Sequence, residues 1–228
     1  MSSQLSETAG HRRSGKRKSW LLCFSLLVNF LFLAAASGIA YHYRERLLQA
    51  FLDWKEKAGI VFLGDSITAQ GEWNILLDRC DIKNSGVPGL GVCHLKDEID
   101  RRVLRYSPEL CVVMGGINDL TILERSVAGT IGDYKTLLLK LRSAGVKTVV
   151  QLTLYERQSP ATKARVDSLN NWLVGYCDSL GIATTDPNQW LADQNGLKDG
   201  FARDRTHLTR EAYKKWASEL KPLIISWL

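Results

Sequence analysis

Residues 59–68 read Gly-Ile-Val-Phe-Leu-Gly-Asp-Ser-Ile-Thr, and the rest of the chain is organised around this stretch. The apolar run Ile60–Leu63 shows no polar alternation, which is typical of a strand buried on both faces of a parallel sheet. Reactive groups in open α/β sheets lie just beyond the carboxyl ends of the strands. The stretch therefore predicts that the hydroxyl of Ser66 faces a cleft there. The alternative is that Asp65 and Ser66 only cap the helix that follows.

Strand-like and helical patterns alternate along the chain after this point. The strand-like runs are Ile60–Leu63, Asp81–Asn84, Leu110–Met114, Thr148–Leu154 and Ile182–Thr185. The main helical patterns are Leu95–Tyr106, Tyr134–Ala144, Thr162–Leu180 and Thr209–Trp227. Such alternation is typical of a parallel sheet with helices on both faces. We therefore expect an α/β fold, a three-layer α/β/α sandwich, and about 170 residues suffice to bury one core.

The N-terminal part of the chain differs in composition from the rest. The formal net charge is +6, but residues 1–18 hold five Arg or Lys against one Glu and carry most of it. The basic balance therefore does not indicate nucleic-acid binding. No charged residue occurs between Trp20 and Tyr41, which is long enough for a membrane-spanning helix. Basic residues before such a helix favour a cytoplasmic N-terminus.

These features predict four regions. They are a basic cytoplasmic tail (1–18), a transmembrane signal-anchor helix (19–41), a short helical stalk (42–57) and a domain outside the cytoplasm (58–228). The competing interpretation is a signal peptide cleaved near Ala36, because three successive alanines supply small residues of the kind that signal peptidase accepts. Both interpretations export the domain, and they differ in whether it stays tethered to the cell membrane.

Four cysteines lie outside the apolar segment: Cys80, Cys93, Cys111 and Cys177. An oxidising compartment permits disulfides, and four cysteines allow three complete pairings. Cys80 and Cys93 flank one loop and are the expected pair, whereas Cys111 lies in a strand pattern and is expected in the core. No Cys/His cluster indicates a metal site.

Histidine limits the choice of a catalytic base, since the chain has only four. His11 lies in the basic tail, His42 at the membrane edge, and His94 is expected at the surface. His207 remains, and Asp204 precedes it by three residues. A carboxylate on the same turn can accept the proton of one ring nitrogen and leave the other basic.

Two turns rich in glycine and asparagine follow successive strands. Asn84–Gly89 reads Asn-Ser-Gly-Val-Pro-Gly, and Gly115–Asp119 reads Gly-Gly-Ile-Asn-Asp. Glycine lets a backbone N–H approach a ligand closely, and an asparagine amide can donate beside it. Either turn alone would be structural. Together with the backbone N–H of Ser66 they would supply three donors to an oxyanion.

The four segments resemble, in order, blocks of the SGNH (GDSL-type) hydrolases, a family of serine esterases and lipases. Gly64–Ile67 resembles block I of that family, and Asn84–Gly89 resembles block II. Gly116–Asp119 resembles block III, and Asp204–His207 resembles block V. The resemblance implies Ser66 as nucleophile, His207 as base and Asp204 as its orienting acid. It also implies Ser66, Gly89 and Asn118 as oxyanion donors, and a mostly parallel, flavodoxin-like sheet.

The sequence departs from the family pattern at two places. Pro88 precedes the block II glycine, where small flexible residues are more usual. Arg205 and Thr206 stand between Asp204 and His207, where a small residue is usual. Positive charge at the cleft rim would favour an anionic substrate, although arginines before a helix are more often solvated.

The resemblance implies a serine esterase, and the N-terminal segment predicts that it is exported and membrane-anchored. Its expected substrate is an acyl ester of an envelope glycan or lipid. Short-chain or O-acetyl esters are favoured because no long apolar insertion is present to shelter an acyl chain. The alternatives are a lysophospholipase or thioesterase, an O-acetyltransferase, or a non-catalytic glycan-binding envelope protein. Glycines 86, 89 and 91 also suggest a nucleotide-binding domain, but their spacing is wrong for it. No metal, organic cofactor or nucleic-acid partner is expected, and the oligomeric state is open.

Overall fold

The structure, a computed structural model, describes residues 7–54 and 57–228. The chain separates into two units, divided between Leu47 and Leu48. Helix α1 is Glu7–Trp54 and contains the segment Cys23–Arg44, with a mean hydropathy of 2.0 and no buried residue. Among the described residues it is the one helix long and apolar enough to span a membrane. A signal sequence has the same properties. The predicted stalk is helical as far as Trp54, while residues 1–6 of the predicted tail and 55–56 of the stalk lie outside the described residues.

Five parallel strands form the sheet of the second unit. They are β1 Ile60–Gly64, β2 Ile82–Gly86, β3 Leu110–Met114, β4 Lys147–Gln151 and β5 Ala183–Thr185. The order β2-β1-β3-β4-β5 is the flavodoxin-like one. The predicted α/β class and all five strands are confirmed. Strand β4 ends before the predicted Leu154 because Thr153 leaves the ladder and bonds, through both its backbone groups, to the side chain of Asn170.

Helices cover both faces of the sheet. They are α2 Ser66–Gln70, α3 Trp73–Leu77, α4 Val92–Leu95, α5 Ile99–Arg102, α6 Ile117–Leu120, α7 Val127–Ser143, α8 Pro160–Leu180, α9 Asn188–Leu191 and α10 Arg210–Trp227. Short 3₁₀ turns occur at Leu104–Tyr106 and Asp199–Phe201, and a small antiparallel pair consists of β6 Ala192–Asp193 and β7 Gly196–Leu197. Helix α7 packs against α4, α5 and α8, and α10 packs against α3 and α9.

The continuous helix predicted over Leu95–Tyr106 is wrong. The chain there forms α4, α5 and a 3₁₀ turn in succession. Leu95, Ile99 and Val103 are fully buried at helical spacing, as the pattern requires. Apolar spacing determines which side of a segment is buried. A series of short helical turns can keep that spacing as well as one continuous helix, so the pattern does not distinguish between them.

An aromatic cluster connects the first strand to the last helix. The ring of Trp73 stacks on Phe62 at a centroid distance of 4.6 Å and meets Trp216 edge-on at 5.0 Å. The indole N–H of Trp73 donates to the carbonyl oxygen of Thr68 at 2.9 Å, so its polar group is satisfied inside the core. The hydroxyl of Tyr213, on α10, donates to the carbonyl oxygen of Ile67, on α2, at 2.6 Å. These contacts fix α10 beside α2.

All five cysteines are free. The expected disulfide between Cys80 and Cys93 is wrong, because the two residues lie at opposite ends of β2. Asp81, next to Cys80, bonds to Ile60 at the start of β1, whereas the N–H of Cys93 bonds to Asp119 beyond the end of β3. Five residues of strand at about 3.3 Å each separate the ends of β2 by more than 10 Å, whereas a disulfide needs Cα atoms within about 7 Å. Cys111 is fully buried in β3, as expected from its strand pattern.

Candidate active site

Ser66 is the first residue of α2 and lies two residues after β1 ends at Gly64. The turn is tight. A Cβ atom on Gly64 would lie 2.1 Å from the hydroxyl oxygen of Thr68 and 2.5 Å from the carbonyl oxygen of Met114. Asp65 is the N-cap, and its Oδ1 accepts a hydrogen bond from the backbone N–H of Ile67 at 2.9 Å. Asp65 therefore does cap the helix, while Ser66 lines a cleft at the carboxyl end of the sheet.

The structure brings Ser66, His207 and Asp204 into one chain of hydrogen bonds. The Oγ of Ser66 lies 2.9 Å from Nε2 of His207, although the two residues are 141 positions apart. The Nδ1 of His207 lies 2.9 Å from Oδ2 of Asp204. This is the arrangement in which a serine can be activated by a histidine that a carboxylate orients.

Asp204 is held as an anion by its own turn. Its Oδ1 accepts from the backbone N–H of His207 at 2.7 Å and from that of Thr206 at 2.8 Å. The His207 N–H bond is the main cause that lowers the pKa of Asp204 to about 2. The carboxylate is thus negative throughout the neutral range and can stabilise a protonated imidazole.

The position of His207 follows from the start of α10. The backbone of Ala202 pairs with that of Leu208, which closes the loop that carries Asp204 and His207. Thr209 then caps α10 through its hydroxyl oxygen, which accepts from the N–H of Ala212 at 3.3 Å. Because α10 is fixed beside α2, the histidine before it faces the serine that begins α2.

The three predicted oxyanion donors line the same cleft, which has a volume of about 670 Å³. Gly89 has a φ of +79°, in the left-handed region that favours glycine. The side-chain amide of Asn118, at the start of α6, donates one hydrogen bond to the carbonyl oxygen of Leu90 at 3.0 Å. An amide carries two hydrogens, so the other remains for a ligand.

Asp119, in α6, fixes the loop after β2 to that helix, a role not predicted from the sequence. Its carboxylate is fully buried and accepts from the backbone N–H of Val92 at 2.7 Å and of Cys93 at 3.2 Å. A Cβ atom on Gly91 would lie 2.7 Å from that carboxylate, so the contact requires glycine. The loop that holds Gly89 is therefore tied directly to α6.

Asn84, the first residue of the predicted turn Asn84–Gly89, lies within β2 and has a structural role. Its side-chain amide donates toward the carbonyl oxygens of Thr68, Ala69 and Gly71 at 3.0–3.2 Å, which are carbonyls at the end of α2. His94 is exposed and lies outside the cleft lining, as expected. Its Nδ1 accepts from the N–H of Gly91 at 3.2 Å.

Three charged residues of the cleft were not predicted from the sequence: Glu124, Glu156 and Arg165. Glu156 follows β4 by five residues, so its place beyond the carboxyl end of a strand was the available signal. The guanidinium of Arg165, on α8, donates to the carbonyl oxygens of Leu120 and Arg125 at 2.5 Å each and so secures one wall of the cleft.

Among the residues that the structure describes, no group of three His, Cys, Asp or Glu side chains could hold a metal ion.

Residues 62–215 match the sequence model of the GDSL-like lipase/acylhydrolase family. Among solved structures, a GDSL-like lipase from Bacteroides thetaiotaomicron is 21% identical, with 76% of this chain and 90% of that chain covered and a TM-score of 0.68. A carbohydrate esterase of family 3 from Talaromyces cellulolyticus is 18% identical (74% and 97% covered, TM-score 0.60). A carbohydrate acetylesterase from Sinorhizobium meliloti is 12% identical (75% and 100% covered, TM-score 0.59). No curated protein matches the sequence.

We expect the stability of the domain to depend on pH through Asp65. Burial is the main cause that raises the pKa of its carboxyl group from 3.8 to about 6. The folded state therefore binds more protons than the unfolded state between these values, and the free energy of unfolding falls as pH rises through them. The loss is roughly 3 kcal/mol in total. Asp65→Asn keeps the capping oxygen but cannot ionise, so it should abolish this slope and be more stable than wild type above pH 6.

Urea unfolding of the full chain in detergent, at pH values from 4 to 7, measures this effect. Asp204→Asn is the control and should keep the wild-type slope between pH 4 and 7. The pKa of Asp204 is lowered, so its contribution is present above 3.8 and is lost only as pH falls toward 2. A slope between pH 4 and 6 that persists in Asp65→Asn would assign the pH dependence to another group.

Proposed function

Because the chain belongs to the GDSL-like lipase/acylhydrolase family and is an ester hydrolase, we propose that it is an exported, membrane-anchored serine esterase for short-chain acyl esters. The observation that carries the proposal is the hydrogen-bond chain from Ser66 through His207 to Asp204, with both links at 2.9 Å. It ends at a cleft that a substrate can enter.

In the proposed reaction, Oγ of Ser66 attacks the acyl carbonyl carbon while Nε2 of His207 accepts the hydroxyl proton. The anionic Asp204 stabilises the imidazolium that results. The negative oxygen of the tetrahedral intermediate is bound by the N–H groups of Ser66 and Gly89 and the amide of Asn118. His207 then protonates the leaving alcohol, and water releases the acyl group from Ser66 by the same steps in reverse.

The cleft lining supports a short acyl group on a polar alcohol. Its apolar side chains are those of Pro88, Leu120 and Ile122, and most of the other lining residues are polar or charged. A long chain gains about 0.8 kcal/mol for each CH₂ that an apolar tunnel buries, and three apolar side chains bury few of them. Acetyl groups on the hydroxyls of a glycan fit this lining. The carbohydrate acetylesterase from Sinorhizobium meliloti shares the fold, which agrees with this choice.

The contacts of Arg205 do not favour the selection of an anionic substrate, which its charge alone suggested. The guanidinium of Arg205 pairs with the carboxylate of Glu156 at 3.1 Å, which offsets its charge within the cleft. The proposed substrate is therefore a neutral ester.

Anchoring through residues 19–41, with the tail of residues 1–18 in the cytoplasm, is also part of the proposal. The apolar segment Cys23–Arg44 and the basic residues before it support this topology. The domain of residues 58–228, joined by the stalk of residues 42–57, would then meet its substrate close to the outer face of the membrane.

We expect one covalent adduct when the full chain in detergent reacts with a fluorophosphonate, because this reagent traps activated serines. Intact mass should show a single addition on wild type and none on Ser66→Ala. Among p-nitrophenyl esters, kcat/KM should be highest for the acetate and fall with chain length. The absence of an adduct on folded wild-type protein would contradict a serine esterase, and a preference for long chains would indicate a lipase.

Asn118→Ala should lower kcat about 10²–10³-fold, the usual cost of losing one oxyanion donor. KM should change little, since the donor acts mainly on the charge that develops in the transition state. Asn171→Ala, an exposed asparagine on α8, is the matched control and should retain wild-type rates. A wild-type rate in Asn118→Ala would remove this residue from the oxyanion site.

The topology predicts that alkaline phosphatase fused after Leu228 is active in intact cells, since that reporter folds only outside the cytoplasm. The same reporter fused after residue 18 should be inactive. Intact mass of the membrane fraction should show that the N-terminal segment is retained. A mature N-terminus near Ala36 would mean that the domain is secreted rather than anchored.

A further inference from the structure

Glu156 is a buried carboxylate for which the proposed reaction has no use. It lies on the connection between β4 and α8, and its side chain is only 5% exposed. Carboxylates are seldom buried to this extent unless they are paired and hydrogen-bonded. The partners of Glu156 therefore indicate what it is for.

Both carboxylate oxygens of Glu156 bond to residues of the turn Asp204–His207, called the catalytic turn below. Oε2 accepts from Nε of Arg205 at 3.2 Å and lies 3.1 Å from its Nη2. Oε1 accepts from the hydroxyl of Thr206 at 3.2 Å. Arg205 and Thr206 are the two residues between Asp204 and His207, so one carboxylate holds both intervening residues of the Asp-x-x-His turn.

Neighbouring residues strengthen the same attachment. The backbone N–H of Arg157 donates to the carbonyl oxygen of Arg205 at 2.8 Å. Nη2 of Arg205 also donates to the hydroxyl of Ser159 at 2.9 Å, and Ser159 in turn donates to Thr162 at 2.8 Å. The catalytic turn is thus joined to the β4–α8 connection through backbone and side chains together.

The turn needs such an external attachment. The side chain of Asp204 is 49% exposed and that of His207 is 28% exposed, so packing restrains the pair weakly. The bonds from Asp204 to the N–H groups of Thr206 and His207 set the shape of the turn but not its place relative to Ser66.

We propose that Glu156 is a positioning residue. Through Arg205 and Thr206 it holds the Asp204–His207 turn at the distance from Ser66 that proton transfer requires. This inference rests on the proposed esterase function and adds to it a residue that acts through Arg205 and Thr206.

Glu156→Ala should lower kcat by up to about 10²-fold, the effect expected when a reacting group is displaced by about 1 Å. KM should change less than threefold, because both carboxylate oxygens of Glu156 are engaged by Arg205 and Thr206 rather than left for the substrate. The rate of fluorophosphonate labelling of the full chain in detergent should fall in parallel with kcat. Glu156→Gln retains an oxygen for the Thr206 hydroxyl but loses the charge pair with Arg205, so its rates should be intermediate. Glu211→Ala, at a carboxylate that is 68% exposed on α10, is the matched control.

A double-mutant cycle tests whether Glu156 acts through the turn. If it does, adding Glu156→Ala to the variant Arg205→Ala/Thr206→Val should lower the rate of that variant less than threefold. The same substitution in the wild-type chain should lower the rate strongly. Urea unfolding identifies variants that do not fold, and Glu156→Gln and Thr206→Val then provide the same comparison.

Failure of this inference is distinct from failure of the esterase assignment. If wild type is not labelled, the assignment itself fails. If wild type is labelled and Glu156→Ala is labelled at the same rate, only the positioning role is overturned. Fully additive effects in the cycle, or a raised KM with unchanged kcat, would also overturn it.

Discussion

The hydrogen bond from the hydroxyl of Tyr213 to the carbonyl oxygen of Ile67 joins the two ends of the catalytic domain. It fixes α10 against α2, and the edge-on contact between Trp73 and Trp216 holds α10 in the same place. Ser66 begins α2 and His207 precedes α10, so their separation depends on how these two helices dock. The docking of these helices therefore brings together two residues that are 141 positions apart in the chain, and the β4–α8 connection then holds the turn that carries His207.

The polar loops around the cleft are tied mainly to one another. Asn84 bonds to carbonyls at the end of α2, Asn118 bonds to Leu90, and Asp119 bonds to the backbone of Val92. These bonds satisfy buried backbone groups that water would otherwise have to reach. They also leave few degrees of freedom at Gly89, which suits a site whose donors must be in place before charge develops.

The sequence was sufficient to predict the strands and to select Ser66, Asp204 and His207 as candidates, because their signals are local: an apolar run, a turn, and a spacing of three. The structure joins these three side chains by hydrogen bonds, and their catalytic roles stay a prediction. It was insufficient where the deciding contact is distant in the chain. Nothing near Glu156 indicates its partners, since Arg205 and Thr206 lie about 50 residues away. The helical spacing of Leu95 and Ile99 likewise could not show that the chain between them turns. The predicted pairing of cysteines failed because proximity in sequence took no account of the strand between them.

The connection between β4 and α8 has a consequence for loop exchange between related domains. Connections at the carboxyl edge of an α/β sheet are usually the segments that vary most freely and can be swapped to change specificity. Here that connection contacts the turn before α10 through Glu156, Arg157 and Ser159. A graft of this loop would have to bring matching residues at 205 and 206 with it, so two segments distant in sequence form one transferable unit.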